Sequence, residues 1–272
     1  MNDDKETQAI INIENLSCHY GDKLALDDIN LSVQEREIMV IMGHSGSGKS
    51  TLFRNILGLI TPTCGKVEVL GKDISQLKKR ELYDLRKNIG VAFQNGALFS
   101  SLSVRENVEL PLREHTTLDG NTIQIMTMMK LALMDLADHG DLMPSELSGG
   151  MLKRAGLTRA VIMDPKLLFF DEPSAGLDPV TSAELDQLIL RLRDALNMSI
   201  IIITHELESA FNVADRISVL DKGKQILTGT REEVRASTDQ RIINMLGRKV
   251  RDEEVDADAY LQKLTTKRKT GK

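Results

Sequence analysis

The stretch Gly43-His44-Ser45-Gly46-Ser47-Gly48-Lys49-Ser50-Thr51 decides the fold. An apolar run over residues 37–42 precedes it, and a helical pattern over 49–60 follows. The stretch fits G-x-x-x-x-G-K-[ST] and stands between a predicted strand and a predicted helix, so it reads as a phosphate-binding P-loop. Glycines let the backbone curl until successive N–H groups point at one anion. The helix that starts near Lys49 adds the positive end of its dipole. Lys49 can reach the β- and γ-phosphates of a nucleotide, and the Ser50 hydroxyl can ligate Mg2+. A Gly-Ser loop without a ligand is the bland alternative, and the strand–loop–helix context weighs against it.

Outward from this loop the periodicity alternates. Strands are predicted at 11–20, 89–93, 167–170, 199–204 and 216–220, and a small antiparallel pair around the Gly71 turn. Helices are predicted at 77–87, 103–112, 121–137, 147–163 and 179–197, the last with Asp178 as its cap and Pro179 at its first position. Strands that alternate with helices imply parallel crossovers and an α/β sheet. No strand is convincing over 96–140, which reads as a helical insertion.

Composition narrows the function. Hydrophobic residues make up 41% and charged residues 28% of the 272, so the chain is globular rather than disordered. The net charge of −5, a pI near 5.6, 3% aromatics and no Trp argue against a nucleic-acid partner. Cys18 and Cys64 have no metal-type spacing and read as free thiols. The polar residues 1–8 do not read as a secretion signal, and no apolar run is long enough to span a bilayer. A soluble protein is expected, with any membrane role coming through a partner.

A second motif, Leu167-Leu168-Phe169-Phe170-Asp171-Glu172-Pro173, ends an apolar strand in two carboxylates. Alone it reads best as a helix cap. Paired with the P-loop, Asp171 is expected to hold Mg2+ and Glu172 to polarise water as a general base.

The third motif, Leu147-Ser148-Gly149-Gly150-Met151, stands before a basic helix. Together the three motifs resemble the ABC ATPase family, over about residues 9–236. Tyr20 matches the family's adenine-stacking aromatic, Gln94 its Q-loop, the run Ser174-Ala175-Gly176-Leu177-Asp178 its D-loop and His205 its switch histidine. Singly, each has a plainer reading: a half-buried strand tyrosine, a loop amide, a satisfied strand-end histidine. The resemblance implies a P-loop NTPase with a RecA-like parallel-sheet core, a small antiparallel β-subdomain and an inserted α-helical subdomain. Its layout would be an ATPase domain over 9–246, with the core at 9–94 and 160–246 and the helical subdomain at 95–159, followed by a charged tail at 247–272. It implies ATP and Mg2+, with Gln94 among the metal-side groups and Glu172, His205 and Gln94 in the catalytic set. Ser148, Gly149 and Gly150 would contact the γ-phosphate held by a second copy, making a head-to-tail dimer around two ATP molecules.

Within that family, residues 111–116, 128–131 and 142–151 resemble the Mla ATPase subfamily, which moves phospholipids between the inner and outer membranes of diderm bacteria. Met151 replaces the usual Gln of the signature, and that subfamily shares the change. The resemblance implies an integral-membrane permease, an MCE-domain lipid-binding protein and a small STAS-domain protein as partners, at the cytoplasmic face of the inner membrane. An importer of amino acids or organic anions is the alternative. A repair-type ABC protein needs a long coiled coil where fewer than 100 residues separate Ser50 from Ser148. A translation-type one joins two cassettes where this chain shows one, and the intact Lys49, Asp171, Glu172 and His205 disfavour a non-catalytic scaffold.

Three expectations are local. Met126, Met128, Met129 and Met134 read as an adaptable helical core, with a groove for a permease helix as the alternative. His115 and His139 read as surface residues. Tyr260, Leu261 and Leu264 either anchor the tail on the neighbouring ATPase or belong to a solvated terminus.

Overall fold

A computed structural model describes residues 9–247. The tail reading, with Tyr260, Leu261 and Leu264, lies outside the described residues. The described residues fall into two compact units, divided between Ala236 and Ser237.

In the first unit, β1 (Ala9–Tyr20) and β2 (Lys23–Gln34) form an antiparallel hairpin. With β3 (Ile38–Met42), α1 (Lys49–Ile56), β4 (Cys64–Val69) and β5 (Lys72–Asp73) in place, β2-β1-β4-β5 make one antiparallel sheet. The chain continues through α2 (Lys79–Arg86), β6 (Ile89–Ala92), α3 (Val104–His115), α4 (Gly120–Leu133) and α5 (Gly149–Val161). It then runs through β7 (Leu167–Asp171), α6 (Pro179–Leu196), β8 (Ser199–Thr204), α7 (Leu207–Val213), β9 (Arg216–Asp221), β10 (Lys224–Thr230) and α8 (Arg231–Arg235). The second sheet has the order β10-β9-β3-β8-β7-β6, parallel except for the β9–β10 pair. In the second unit, α9 (Gln240–Leu246) starts on Asp239, whose side chain accepts from the Arg241 amide.

Every residue of β3 and β8 is buried, which is why both read as unbroken apolar runs rather than alternating ones. Leu52, Phe53 and Ile56 of α1 share one core with Ile11, Ile13 and Leu16 of β1 and with Met39, Phe169 and Ile201 of the parallel sheet. The Phe53 and Phe169 rings sit 5.1 Å apart in a tilted contact. The P-loop helix is thereby clamped between the two sheets.

The helix α1 ends at Ile56, short of the expected residue 60. Gly58, at φ +63, closes it: the Gly58 amide bonds the Asn55 carbonyl at 2.9 Å and the Leu59 amide bonds the Arg54 carbonyl at 2.8 Å. A left-handed glycine with this bond pair stops a helix before any proline is needed. Strands β2 and β10 escaped the sequence reading. In β2 the acidic pair Asp27-Asp28 interrupts the alternation, with Asp28 at φ +52 and shifted register against β1.

Between β6 and β7 the described chain is helical. Ser103 and Glu106 form a reciprocal capping box on α3, at 3.2 and 2.8 Å. The four methionines are not one core. Met134 is fully buried, but Met128 and Met129 are 55% and 68% exposed. Only Ile123, Thr127 and Leu131 face inward along α4, while Ile125 joins the two methionines on the outside. His139 is half-buried rather than a surface residue, and its Nδ1 is buried with no partner. His115 Nδ1 pairs with the Tyr83 hydroxyl at 2.8 Å. Both cysteines are free, Cys18 buried and Cys64 exposed.

Candidate nucleotide site

The glycine loop leaves β3 at Gly43 and enters α1 at Lys49. Gly48 caps that helix at φ +109, and a Cβ there would sit 2.7 Å from the Leu26 side chain. Only glycine meets both demands. The Lys49 ammonium donates to the carbonyls of Gly43 at 2.6 Å and His44 at 3.1 Å. Burial pushes its pKa down, and the charges of Glu172 and Asp171 push the other way. The loop is braced from outside by a turn the sequence reading missed: the Gly223 amide donates to the Ser47 carbonyl, and the Asp27 amide to the Gly223 carbonyl, both at 2.9 Å. The signal was present as Asp221-Lys222-Gly223 between two apolar runs.

A cavity of about 860 Å3 opens over this loop. It gathers Tyr20, His44, Ser45, Gly46, Ser47, Gly48, Lys49, Ser50, Thr51, Gln94, Asp171, Glu172 and His205. Gly43 is buried at the base of the loop. Lys23, Leu24, Ala25, Ile203, Lys222 and Gly223 line the cavity too and were not singled out in the sequence. Tyr20 is 45% exposed, so its ring is open to a stacking partner.

The carboxylates stand at the end of β7. Burial raises the Asp171 pKa, the neighbouring Glu172 charge adds to that, and Lys49 opposes it. Glu172 sits at φ +51, an uncommon conformation for a residue with a side chain. Its amide donates to the Ile203 carbonyl at 2.8 Å. Its Oε1 lies 2.8 Å from His205 Nδ1, and its Oε2 accepts from the Thr204 hydroxyl at 3.0 Å and the His205 amide at 3.3 Å. Thr204 was not foreseen; it is a fully buried donor that fixes one oxygen of the pair. Lys153 of α5 donates to the carbonyls of Pro173 and Ala175, tying the signature helix to the loop after Glu172.

Besides Gly43, four expected residues do not line the cavity: Ser148, Gly149, Gly150 and Asp178. Ser148 caps α5, accepting from the Met151 amide at 3.3 Å. A Cβ on Gly149 would meet nothing within 4 Å. Asp178 caps α6, accepting from the Val180 and Thr181 amides at 3.0 and 3.1 Å, and the Thr181 hydroxyl bond holds its carboxyl below the usual range. Within a single copy these four residues are thus separate from the cavity that holds Lys49 and Glu172.

The residues fit a phosphate group and a hard cation. Ser47 Oγ, within the loop, is buried without a partner. Among the described residues no group of three or more His, Cys, Asp or Glu could hold a metal by itself. Ser50 and Asp171 supply oxygen donors only, the set that suits a cation arriving with phosphates.

A glycine cradle at a helix start after β3, on a parallel sheet in which β7, on the far side of β8, ends in paired carboxylates, defines a P-loop nucleotide-binding cassette. The chain belongs to the ABC transporter family, whose model matches residues 26–175, more than half of it. It is 43% identical to the intermembrane phospholipid transport system ATP-binding protein MlaF of Haemophilus influenzae, over 88% of this chain and 90% of that one. It is 38% identical to MlaF of Escherichia coli K12, over 87% and 88%. Among solved structures, cbiO1 of Clostridium perfringens, part of the ABC transporter complex cbiONQ, superposes with a TM-score of 0.79 at 31% identity, over 89% of this chain and 96% of that one. The dimeric post-hydrolysis cassette MJ0796, bound to ADP and Pi, matches with a TM-score of 0.74 at 30% identity, over 81% and 98%.

Proposed function

We propose that the chain is the ATP-hydrolysing motor subunit of a membrane complex that moves phospholipids between the inner and outer membranes. The likeness to two MlaF proteins over nearly the full length of each supports the cargo. The observation that carries the motor reading is the split site: Lys49, Ser50, Gln94, Asp171, Glu172 and His205 share one cavity, and Ser148–Gly150 stands apart from it.

In this reading the backbone amides of 43–48 and the Lys49 ammonium bind the β- and γ-phosphates, and Tyr20 stacks on the adenine. Ser50, Asp171 and Gln94 would hold Mg2+, which when bound offsets phosphate charge. Glu172 takes the proton of the attacking water, and His205 and Gln94 register the γ-phosphate. Ser148, Gly149 and Gly150 of a second copy complete each site at a helix start with open glycines, beside that copy's Asp178. Hydrolysis removes the anion that joins the two copies, and they part.

Residues 95–159 act as the helical subdomain that meets the permease. The segment around Gln94 supports this, because Phe93 just before it and Phe99 after it are 45% and 54% exposed. No helix among the described residues is long and apolar enough to cross a membrane. The proposed place is therefore the cytoplasmic face of the inner membrane, held by a permease, with an MCE-domain lipid-binding protein and a small STAS-domain protein in the same complex. Affinity purification from membranes should bring down these partners with bound phospholipid; recovery of a permease carrying another cargo would overturn the lipid assignment. Glu172→Gln should cut phosphate release at least 100-fold while ATP-bound dimers accumulate in light scattering. Normal phosphate release by this variant would remove Glu172 from its role.

A further inference from the structure

Asp186, on α6, is 2% exposed and lies outside the nucleotide cavity. Its bonding partners are both on α7, and neither is a cation. The Ser209 hydroxyl donates to Asp186 Oδ1, and Asn212 Nδ2 donates to Oδ2 at 3.2 Å. The Ser174 hydroxyl in turn donates to Ser209 Oγ at 3.0 Å. Ser174 and Ser209 are 6% and 4% exposed. The three donors run in one direction and end on the carboxylate, the arrangement an acceptor-only group imposes. Burial pushes the Asp186 carboxyl above its ordinary range, and the charge of its neighbour Glu208 adds to that.

A buried anion without a counter-charge is a poor way to stabilise a fold; an apolar residue of similar volume would serve better. The two ends of the chain of bonds explain its presence. Ser174 is two residues beyond Glu172, and Ser209 is four residues beyond His205. Glu172 and His205 already touch directly at 2.8 Å. The Ser174–Ser209 bond closes a second link between the same two segments, and Asp186 fixes the direction of that link from α6.

We propose that Asp186 is a positioning residue for ATP hydrolysis: through Ser209 it locks the loop after Glu172 to the helix after His205, so that the Glu172–His205 pair keeps its spacing. The inference rests on the ATPase reading. A carboxylate holds the Ser209 hydroxyl more firmly than a neutral acceptor would. With that hydroxyl free to turn, Ser174 loses a defined partner, and the two segments drift independently. Nucleotide binding is left alone, because none of the three residues lines the cavity.

The test uses the full-length chain. Asp186→Leu keeps the branching at Cγ, with bulkier methyl groups, but removes the acceptor, Ser209→Ala removes the bridge, and Asp186→Asn keeps a neutral acceptor. The expected result is a fall in kcat on the order of tenfold for Asp186→Leu and Ser209→Ala, with KM for ATP within twofold of the parent. Asp186→Asn should recover part of the loss. The double variant Asp186→Leu/Ser209→Ala should be no slower than either single one, because the two act as a unit. Parental kcat in both single variants, or losses that multiply, would overturn the proposal. Should Asp186→Leu fail to fold, Ser209→Ala carries the test by itself. Amide hydrogen exchange in the nucleotide-free chain separates this proposal from the ATPase reading. Exchange over both 173–178 and 206–213 should quicken in Ser209→Ala, and unchanged exchange in either segment overturns the coupling even if the parent shows no turnover. Absent turnover in the parent, with the coupling seen in exchange, would instead fall on the ATPase reading.

Discussion

Asp171 holds a carboxylate where burial and a neighbouring carboxylate both oppose its charge. An acid whose pKa the fold raises contributes stability below its unfolded value near 3.8 and loses it as pH climbs through the folded value. At neutral pH the charged group is therefore a liability to the fold, one that the proposed Mg2+ role of Asp171 accounts for. Asp171→Asn should raise the melting temperature at about pH 8, and the gain should shrink toward about pH 4, where the parental carboxyl takes up its proton. Adding Mg-ATP should reverse the order, because the parent, with its carboxylate for Mg2+, gains more stability from the bound pair than the variant. Calorimetry at the two pH values, with and without nucleotide, checks both halves. An Asp171→Asn variant less stable than the parent at pH 8 would mean that Lys49 outweighs burial.

At the scale of elements, α5 and the loop after β6 meet backbone to backbone. A Cβ on Gly156 would lie 2.6 Å from the Gly96 Cα and 2.7 Å from its carbonyl oxygen. Arg159 adds bonds to the Ala97 and Gly96 carbonyls at 2.8 and 3.0 Å. The signature helix and the Gln94 loop are thus held in direct contact. Gly156→Ala should cost about 1–3 kcal/mol in urea denaturation, since neither backbone can yield cheaply. A helix interior otherwise favours alanine, so a stabilised variant would refute the close contact. The opposite situation holds on α4, where Ile125, Met128 and Met129 form an uncovered apolar strip. Replacing both methionines with lysine should leave ATP turnover unchanged and reduce binding of a hydrophobic dye. Unchanged dye binding would place the sticky surface elsewhere.

These elements also mark how far the sequence could be read. The P-loop, the paired carboxylates and the parallel strands were legible because their residue types are required locally: glycine at positive φ, an unbroken apolar run in a strand buried on both faces. The strip on α4 was not, because methionine suits a core and a surface equally and the helix is apolar nearly all round. The Gly223 brace, Thr204 and the Ser174–Ser209–Asp186 link depend on long-range neighbours. Nothing within a dozen residues of each announces its partner.

For the whole molecule, the decisive geometry is that Ser148–Gly150 lies outside the cavity holding Lys49 and Glu172. In the proposed assembly each copy lends half of its equipment to its neighbour. One defective polypeptide then spoils a site whose other half is sound. The genetic behaviour of Glu172→Gln should be dominant: expressed beside the normal gene, it should reproduce the envelope defect of a deletion, whereas losing one of two gene copies should pass unnoticed. Sensitivity to detergent in a merodiploid strain reads this directly, and a recessive outcome would mean that each polypeptide works alone.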